Sequence, residues 1–129
     1  MTVGFDTGFF VRLLRGVETA RTVWQEVATG THMGVISCIS IFELQRVGLK
    51  GSLNKAEVDL FLDDIPDACQ VVWLDEVLLR RAAHLAHGNS LSMADALILT
   101  SLMQAGAEVM YTTDNDFAAY SAGPRIVKI

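Results

Sequence analysis

Five carboxylates in this chain fall where a fold can gather them: Asp6, Glu43, Asp95, Asp114 and Asp116. Asp6 follows directly on the apolar run 2–5, and Asp114 follows the run 109–112 almost as closely. Asp95 stands among Met93, Ala94, Ala96, Leu97, Ile98 and Leu99. Burying an unpaired carboxylate costs several kcal/mol or forces its protonation. Several at one place also repel one another, and a helix N-terminus offsets only ~0.3–1 kcal/mol. No Lys or Arg immediately flanks Asp6, Asp95, Asp114 or Asp116, so a divalent cation is the economical counter-charge. Oxygen-only ligands suit Mg²⁺ or Mn²⁺. Such ions activate a water and stabilise the leaving oxygen of a phosphodiester.

Each acid also has a structural reading. Ser40-Ile41-Phe42-Glu43 matches a capping box, and Ser92-Met93-Ala94-Asp95 resembles one. Asp6 and Asp114 suit helix N-caps. Taken singly, these acids are more often caps than ligands. It is the set of five that argues for a site.

The elements that must position them alternate between short β-like runs and helical ones. Strands are expected at 2–5, 35–39, 70–74, 109–112 and 126–129. Helices are expected at 7–15, 18–29, 40–49, 55–65, 75–87 and 92–105, with a short helix or turn after Thr113. Gly30–Gly34 reads as a turn, Pro66–Asp67 as the end of the fourth helix, and Gly88–Asn89 as the end of the fifth. Val58, Phe61, Leu62 and Ile65 keep the i, i+3, i+4, i+7 spacing of an amphipathic helix. Helix 92–105 is apolar nearly all round and reads as buried. Five strands separated by helices imply an α/β fold with a parallel sheet covered on both faces. Ligands of such sheets bind beyond the carboxyl ends of the strands, where connections diverge. Asp6 and Asp114 stand at two such ends.

The chain has 129 residues, 51% hydrophobic and 19% charged, which excludes disorder and suits one domain over residues 1–129. Its longest uncharged stretch, 27–42, is shorter than the ~20 residues of a membrane span. Asp6 interrupts any leader-like apolar build-up. A cytoplasmic protein is expected, with Cys38 and Cys69 as reduced core thiols. The net charge of −5 first argues against a nucleic-acid partner. Yet setting the five candidate acids aside leaves ten, equal to the ten Lys and Arg. The excess is then the site itself, and a bound cation screens it.

Four runs resemble the PIN-domain ribonucleases, and most closely the VapC-type toxins of toxin–antitoxin pairs: FDTGFF at 5–10, IFEL at 41–44, HGNSLSMADALI at 87–98 and YTTDNDF at 111–117. They occur in the family's order and at its usual spacing over essentially the whole chain. The resemblance implies a three-layer α/β/α fold with strand order 3-2-1-4-5. It implies that Asp6, Glu43, Asp95 and Asp114 bind Mg²⁺ or Mn²⁺, with Asp116 as an additional acid. Thr7 and Thr113 match supporting positions. The implied activity is a metal-dependent endoribonuclease that hydrolyses RNA, tRNA or rRNA among its targets, through a metal-activated water and leaves a 5′-phosphate. The implied partners are a cognate antitoxin and a second copy of the chain. Many relatives carry Asn or Ser where Gly8 stands.

Other residues are weighed against these. Arg46 and Lys50, at i+3 and i+7 from Glu43, are the candidates for phosphate contact. His84 and His87 share a helix face but have no third soft ligand, and read as structural. Trp24 and Trp73 read as core or interface. Phe9, Phe10, Leu13, Leu14 and Trp24 offer either a deep core or a face for an antitoxin helix or a dimer. A catalytically silent PIN-like module that binds RNA or protein is the rival reading, and the complete acidic set argues against it. A phosphoacceptor domain is disfavoured, because Gly4-Phe5-Asp6 lacks its paired acids. No G-x-x-x-x-G-K-[ST] or G-x-G-x-x-G run is present.

Overall fold

A computed structural model describes residues 1–118 and 120–129. The element order is β1 (Thr2–Phe5), α1 (Thr7–Leu14), α2 (Glu18–Ala28), β2 (Met33–Ser37), α3 (Cys38–Leu49), α4 (Lys55–Ala68), β3 (Cys69–Val72), α5 (Glu76–Asn89), α6 (Met93–Gln104), β4 (Val109–Thr112), a 3₁₀ turn (Asn115–Phe117) and β5 (Arg125–Lys128). The strands form one parallel sheet in the order β3-β2-β1-β4-β5. This is the expected α/β/α architecture and strand order.

The side-chain alternation of the strands divides the core. Val35 and Met110 pack with the α5–α6 side, among Leu78, Ile98, Leu99 and Leu102. Their neighbours Ile36 and Val109 pack with the α1–α4 side, among Phe9, Phe10, Leu44 and Ile65. A parallel sheet buried on both faces needs apolar residues at successive positions, which is why its strands read as continuous apolar runs. Gly4 lies in the central strand because α6 crosses it closely: a Cβ there would come within 2.8 Å of Leu102 Cδ1.

Phe5, Phe9, Phe10, Trp24, Phe61 and Tyr111 stack into one aromatic cluster, with Phe5 and Phe9 only 4.3 Å apart at their ring centroids. Phe9 and Phe10 are fully buried, and Leu13, Leu14 and Trp24 are half-buried. Phe9 and Phe10 therefore belong to the core, and Leu13, Leu14 and Trp24 pack against it with part of their surface left open. The exposed large apolar residues lie elsewhere, at Phe42, Leu49, Leu60, Trp73, Val77, Leu79 and Met93 among others.

Several boundaries differ from expectation, each for a local reason. Gly34 is inside β2 and not in a turn. It pairs with Cys69, and a Cβ there would meet Cys69 Sγ at 2.7 Å. The glycine serves close approach of neighbours, so β2 begins at Met33. β2 ends at Ser37, whose Oγ accepts the Ile39 amide at 3.2 Å and caps α3. Helix α3 therefore starts at Cys38, and the Ser40–Glu43 capping box does not form. With β2 turned into helix, β3 has no partner beyond Val72. Trp73 then falls outside the strand and is 67% exposed, not core.

Pro66 does not stop α4, which continues to Ala68; the Cys69 amide still closes the last turn onto Ile65 O. Helix α5 passes through Gly88 and Asn89 and ends where Ser90 adopts φ 54°. β5 is shifted one residue earlier by its register, Val109 opposite Arg125. Cys38 and Cys69 are free, and burial pushes the Cys69 thiol up to about 12. Among the described residues no helix is long and apolar enough to cross a membrane.

Candidate metal centre

Sheet order decides where the site forms. β1 is the central strand, with β2 on one side and β4 on the other. The connection from β1 leads to β2, while the chain returns through α6 to β4. The carboxyl ends of β1 and β4 thus flank the crevice where crossovers part, the expected ligand position. Phe5 is in register with Tyr111, and the Asp6 amide donates to Tyr111 O at 3.2 Å. The next residues on the two strands, Asp6 and Thr112, are therefore lateral neighbours.

Asp6 is 5% exposed. Its Oδ1 accepts the Phe9 amide at 2.9 Å, which caps α1. Its Oδ2 accepts the Thr112 hydroxyl. The same Thr112 oxygen accepts the Asp114 amide at 2.9 Å. One hydroxyl thus fixes two of the five acids. Asp114 Oδ1 in turn accepts the Asp116 amide at 2.8 Å and caps the 3₁₀ turn. The capping readings of Asp6 and Asp114 hold, and capping is what aims these side chains.

Helices α3 and α6 bring the other acids. Glu43 Oε1 lies 2.5 Å from the Thr7 hydroxyl, which is 2.9 Å from Ser40 Oγ. Ser40 thus faces inward and ties α3 to the start of α1. Ser92 caps α6, its Oγ accepting the Asp95 amide at 3.2 Å. Ser101 Oγ lies 3.1 Å from Ser37 Oγ, a buried contact that joins α6 to the end of β2.

Asp6, Thr7, Gly8, Glu43, Asp95, Ile98, Thr113 and Asp114 line one cavity of about 180 Å³. Carboxylate oxygens of Asp95, Asp114 and Asp116 all lie within 4.8 Å of one another. All five sequence-derived acids are brought to this place, but not equally. Asp116 is exposed and meets the cluster without lining the cavity; Asp6 lines the cavity with both oxygens already hydrogen-bonded. Arg46 and Lys50 do not reach the cavity; both are exposed on α3 or its end. His84 and His87 are exposed on α5, away from the cluster.

Gly8 and Thr113 meet across the cavity wall. A Cβ on Gly8 would lie 1.9 Å from Thr113 Oγ1, so this glycine leaves room for that hydroxyl. Sequence reasoning missed Thr112 and Ser40. Thr112 reads as an ordinary β-branched strand residue, and only its polarity inside an apolar strand hints at a partner. Ser40 reads as a cap.

The electrostatics follow from the geometry. Burial raises the Asp6 carboxyl above its ordinary value, opposed by hydrogen bonds from Thr112 and from the Phe9 and Thr113 amides; nearby Asp114 adds to the rise. Burial also raises Asp95, with Asp114 the next cause, and Asp116 and Glu43 adding repulsion against the Ser92 hydrogen bond. Among the described residues no Lys, Arg or His lines the cavity. Its donors are hard oxygens only, and for Asp6 and Asp95 the setting disfavours the charged form. That donor set fits a divalent cation of the Mg²⁺ class.

Comparison with known proteins agrees with the geometry. The PIN domain profile matches residues 4–123. No curated protein matches the sequence. Among solved structures, the chain is similar to VapBC2 from Rickettsia felis bound to a DNA fragment from its promoter, at 16% identity and TM-score 0.77, covering 100% of this chain and 99% of that one. It is similar to a toxin–antitoxin complex from Klebsiella pneumoniae, at 21% identity and TM-score 0.74, covering 97% and 95%. It is also similar to VapC20 from Mycobacterium tuberculosis, a toxin cleaving the sarcin–ricin loop, at 19% identity and TM-score 0.71, covering 91% and 93%. A profile spanning nearly the whole sequence, and a sheet order and acidic crevice that agree with it, establish that this chain belongs to the PIN domain family.

Proposed function

We propose that the protein is a Mg²⁺-dependent endoribonuclease and the toxin of a type II toxin–antitoxin pair. The observation that carries this reading is the convergence of Asp6, Glu43, Asp95, Asp114 and Asp116 at one sheet edge with no basic residue among them. Concentrated repulsion of this kind gives a silent binding module nothing. Structural likeness to toxin–antitoxin complexes over the full length supports the biological role. One relative cleaves the sarcin–ricin loop, which supports an RNA loop, as in rRNA or tRNA, as the target class.

Asp95, Asp114 and Asp116 would hold the ion, or Mn²⁺ in its place, with Asp6 adding a remaining lone pair. When bound, the ion supplies positive charge at the phosphate oxygens and acidifies a water. Glu43 stands at the cavity wall with Thr7 steadying one oxygen. Its role is to orient the attacking water and accept its proton. Asp6 carries the charge that Thr112 and the Phe9 amide keep in place. Thr113, opposite Gly8, shapes the wall against which the scissile phosphate rests. Arg46 and Lys50 contact phosphates further along the strand. Residues 1–129 act as one cytoplasmic domain. An apolar cleft of about 370 Å³ between α5 and α6, flanked by Leu79 and Met93, offers a face for a second copy in a homodimer.

The test is cleavage of an unstructured RNA by purified protein, with Mg²⁺ and with chelator. Metal-dependent cleavage leaving 5′-phosphate ends is expected. Induced expression should arrest growth, and co-expression of a small cognate partner should relieve it. Tight RNA binding without cleavage in any divalent metal would favour the silent module.

The raised carboxyls add a pH dependence. In metal-free protein the folded state holds the Asp6 and Asp95 protons more tightly than the unfolded chain does. With respect to these two groups, stability is therefore greatest at low pH and falls as pH rises above 3.8 through their folded-state values. Mg²⁺ binds the deprotonated folded form and reverses the loss. Thermal melts between about pH 4 and about pH 8 should show a gap between the Mg²⁺ and chelator curves that widens with pH. A gap that is constant, or that narrows, contradicts the metal site.

A further inference from the structure

An acidic cavity repels the polyanion it is meant to cut, so affinity for RNA must come from outside it. The exposed side of α3 offers the means. Phe42 directly precedes Glu43 of the cavity, yet its side chain points outward and is 62% exposed. Arg46, one turn later, places its guanidinium carbon 5.9 Å from the Phe42 ring centroid. Among the described residues Arg46 has no carboxylate within ion-pair distance, whereas Lys55 pairs with Asp59 at 2.8 Å and Arg12 is bonded to Ile129 O at 2.7 Å. An exposed aromatic ring gains nothing from water. A cation held over its face makes it a poor fit for an apolar protein partner, which would have to desolvate the guanidinium.

We propose that Phe42 is a base-stacking platform for single-stranded RNA, with Arg46 taking the adjoining phosphate, so that an unpaired nucleotide is seated next to the acidic cavity. Every nucleobase has a π-face, so the platform selects an unpaired nucleotide and tolerates its identity. Helix geometry supports the adjacency. Phe42 and Glu43 are neighbours ~100° apart around α3, and Arg46 is on the same face as Phe42 one turn along. A strand whose phosphate enters the cavity beside Glu43 therefore has its flanking base at the ring and its next phosphate at the guanidinium. This inference rests on RNA being the substrate and adds which nucleotide feature is recognised and where.

The test measures binding of a short fluorescent unstructured RNA to full-length Asp6→Asn protein in Mg²⁺, which holds the strand uncut. Further substitutions are made in that background. Phe42→Ala and Phe42→Leu should each weaken binding by roughly 5- to 100-fold, while Phe42→Trp retains or tightens it. Arg46→Gln should weaken binding and lower the slope of log affinity against log salt by about 0.7. In protein with Asp6 intact, Phe42→Leu should raise KM with little change in kcat. Equal binding by the Leu and Trp variants would overturn the platform. So would Phe42→Ala altering the oligomeric state in light scattering while RNA affinity stands, which would give the ring to a protein interface. RNA binding that depends on Phe42 in a protein that never cleaves would sink the nuclease reading and leave the platform standing. Wild-type protein that binds no RNA overturns both.

Discussion

Asp95→Asn should lower Mg²⁺-dependent RNA cleavage by more than about a hundredfold while raising the thermal stability of the metal-free protein. Loss of a residue that only supports a metal ligand costs about 10–100-fold, so loss of a ligand itself costs more. The stability gain has a separate origin. Asp95 is half-buried and feels Asp114, Asp116 and Glu43, and burial and repulsion both raise its carboxyl. The amide keeps the shape and removes one of the crowded charges. The Mg²⁺-induced rise in Tm should shrink in the same variant. Opposite movement of activity and metal-free stability is the informative outcome. If Asp95 were only a helix-start acid, the substitution would lower stability slightly, by loss of a dipole interaction, and leave cleavage unchanged. Turnover assays and paired melts in Mg²⁺ and chelator decide between these results.

The second large effect belongs to a residue that holds no metal in this scheme. Thr112→Val keeps the β-branched shape that suits the end of β4 and removes the hydroxyl. That hydroxyl is the donor to buried Asp6 and the acceptor for the Asp114 amide. Leaving a buried carboxylate oxygen without its donor costs about 1.5–3 kcal/mol, a Tm loss of several degrees for a domain of this size. Asp6 loses the hydrogen bond that most opposes its desolvation, so its carboxyl rises further and metal binding weakens at a given pH. Activity should fall about 10–100-fold. Thr112→Ser, which restores the hydroxyl, should recover most of both. A Val variant with unchanged Tm and activity would show that the Thr112 bridge does not set the site.

Much of this architecture was legible because the strands of a doubly covered sheet announce themselves as unbroken apolar runs. β1 and β4 were read at their observed bounds. Asp6 at the end of one and Asp114 beyond the other then located the crevice. What misled was local chemistry with two uses. Gly34 looked like a turn and is a close-approach glycine against Cys69. Ser40 looked like a cap and is turned inward beside Thr7, because Ser37 already caps the helix. Pro66 looked like a stop, but α4 carries on past it. Gly34 and Ser40 meet partners, Cys69 and Thr7, that lie far away in sequence, where periodicity carries no information. Thr112 escaped notice for the same reason. Its importance exists only once β1 and β4 are in register.

The placement of β1 in the middle of the sheet ties the site to the order of synthesis. The chain leaves the ribosome from its N-terminus, at ~5–20 residues per second. Asp6 emerges first, but its lateral neighbour Thr112 and the carboxylates of Asp114 and Asp116 emerge only after six helices and two further strands. Until β4 docks beside β1, the nascent chain carries Asp6, Glu43 and Asp95 without the partners that complete the cluster. Pairing of such distant segments is also among the slower steps of folding. A chain interrupted anywhere before Val109 would therefore be a fragment without the cluster. The position of one strand thus works as a built-in delay between starting the chain and completing its acidic cluster.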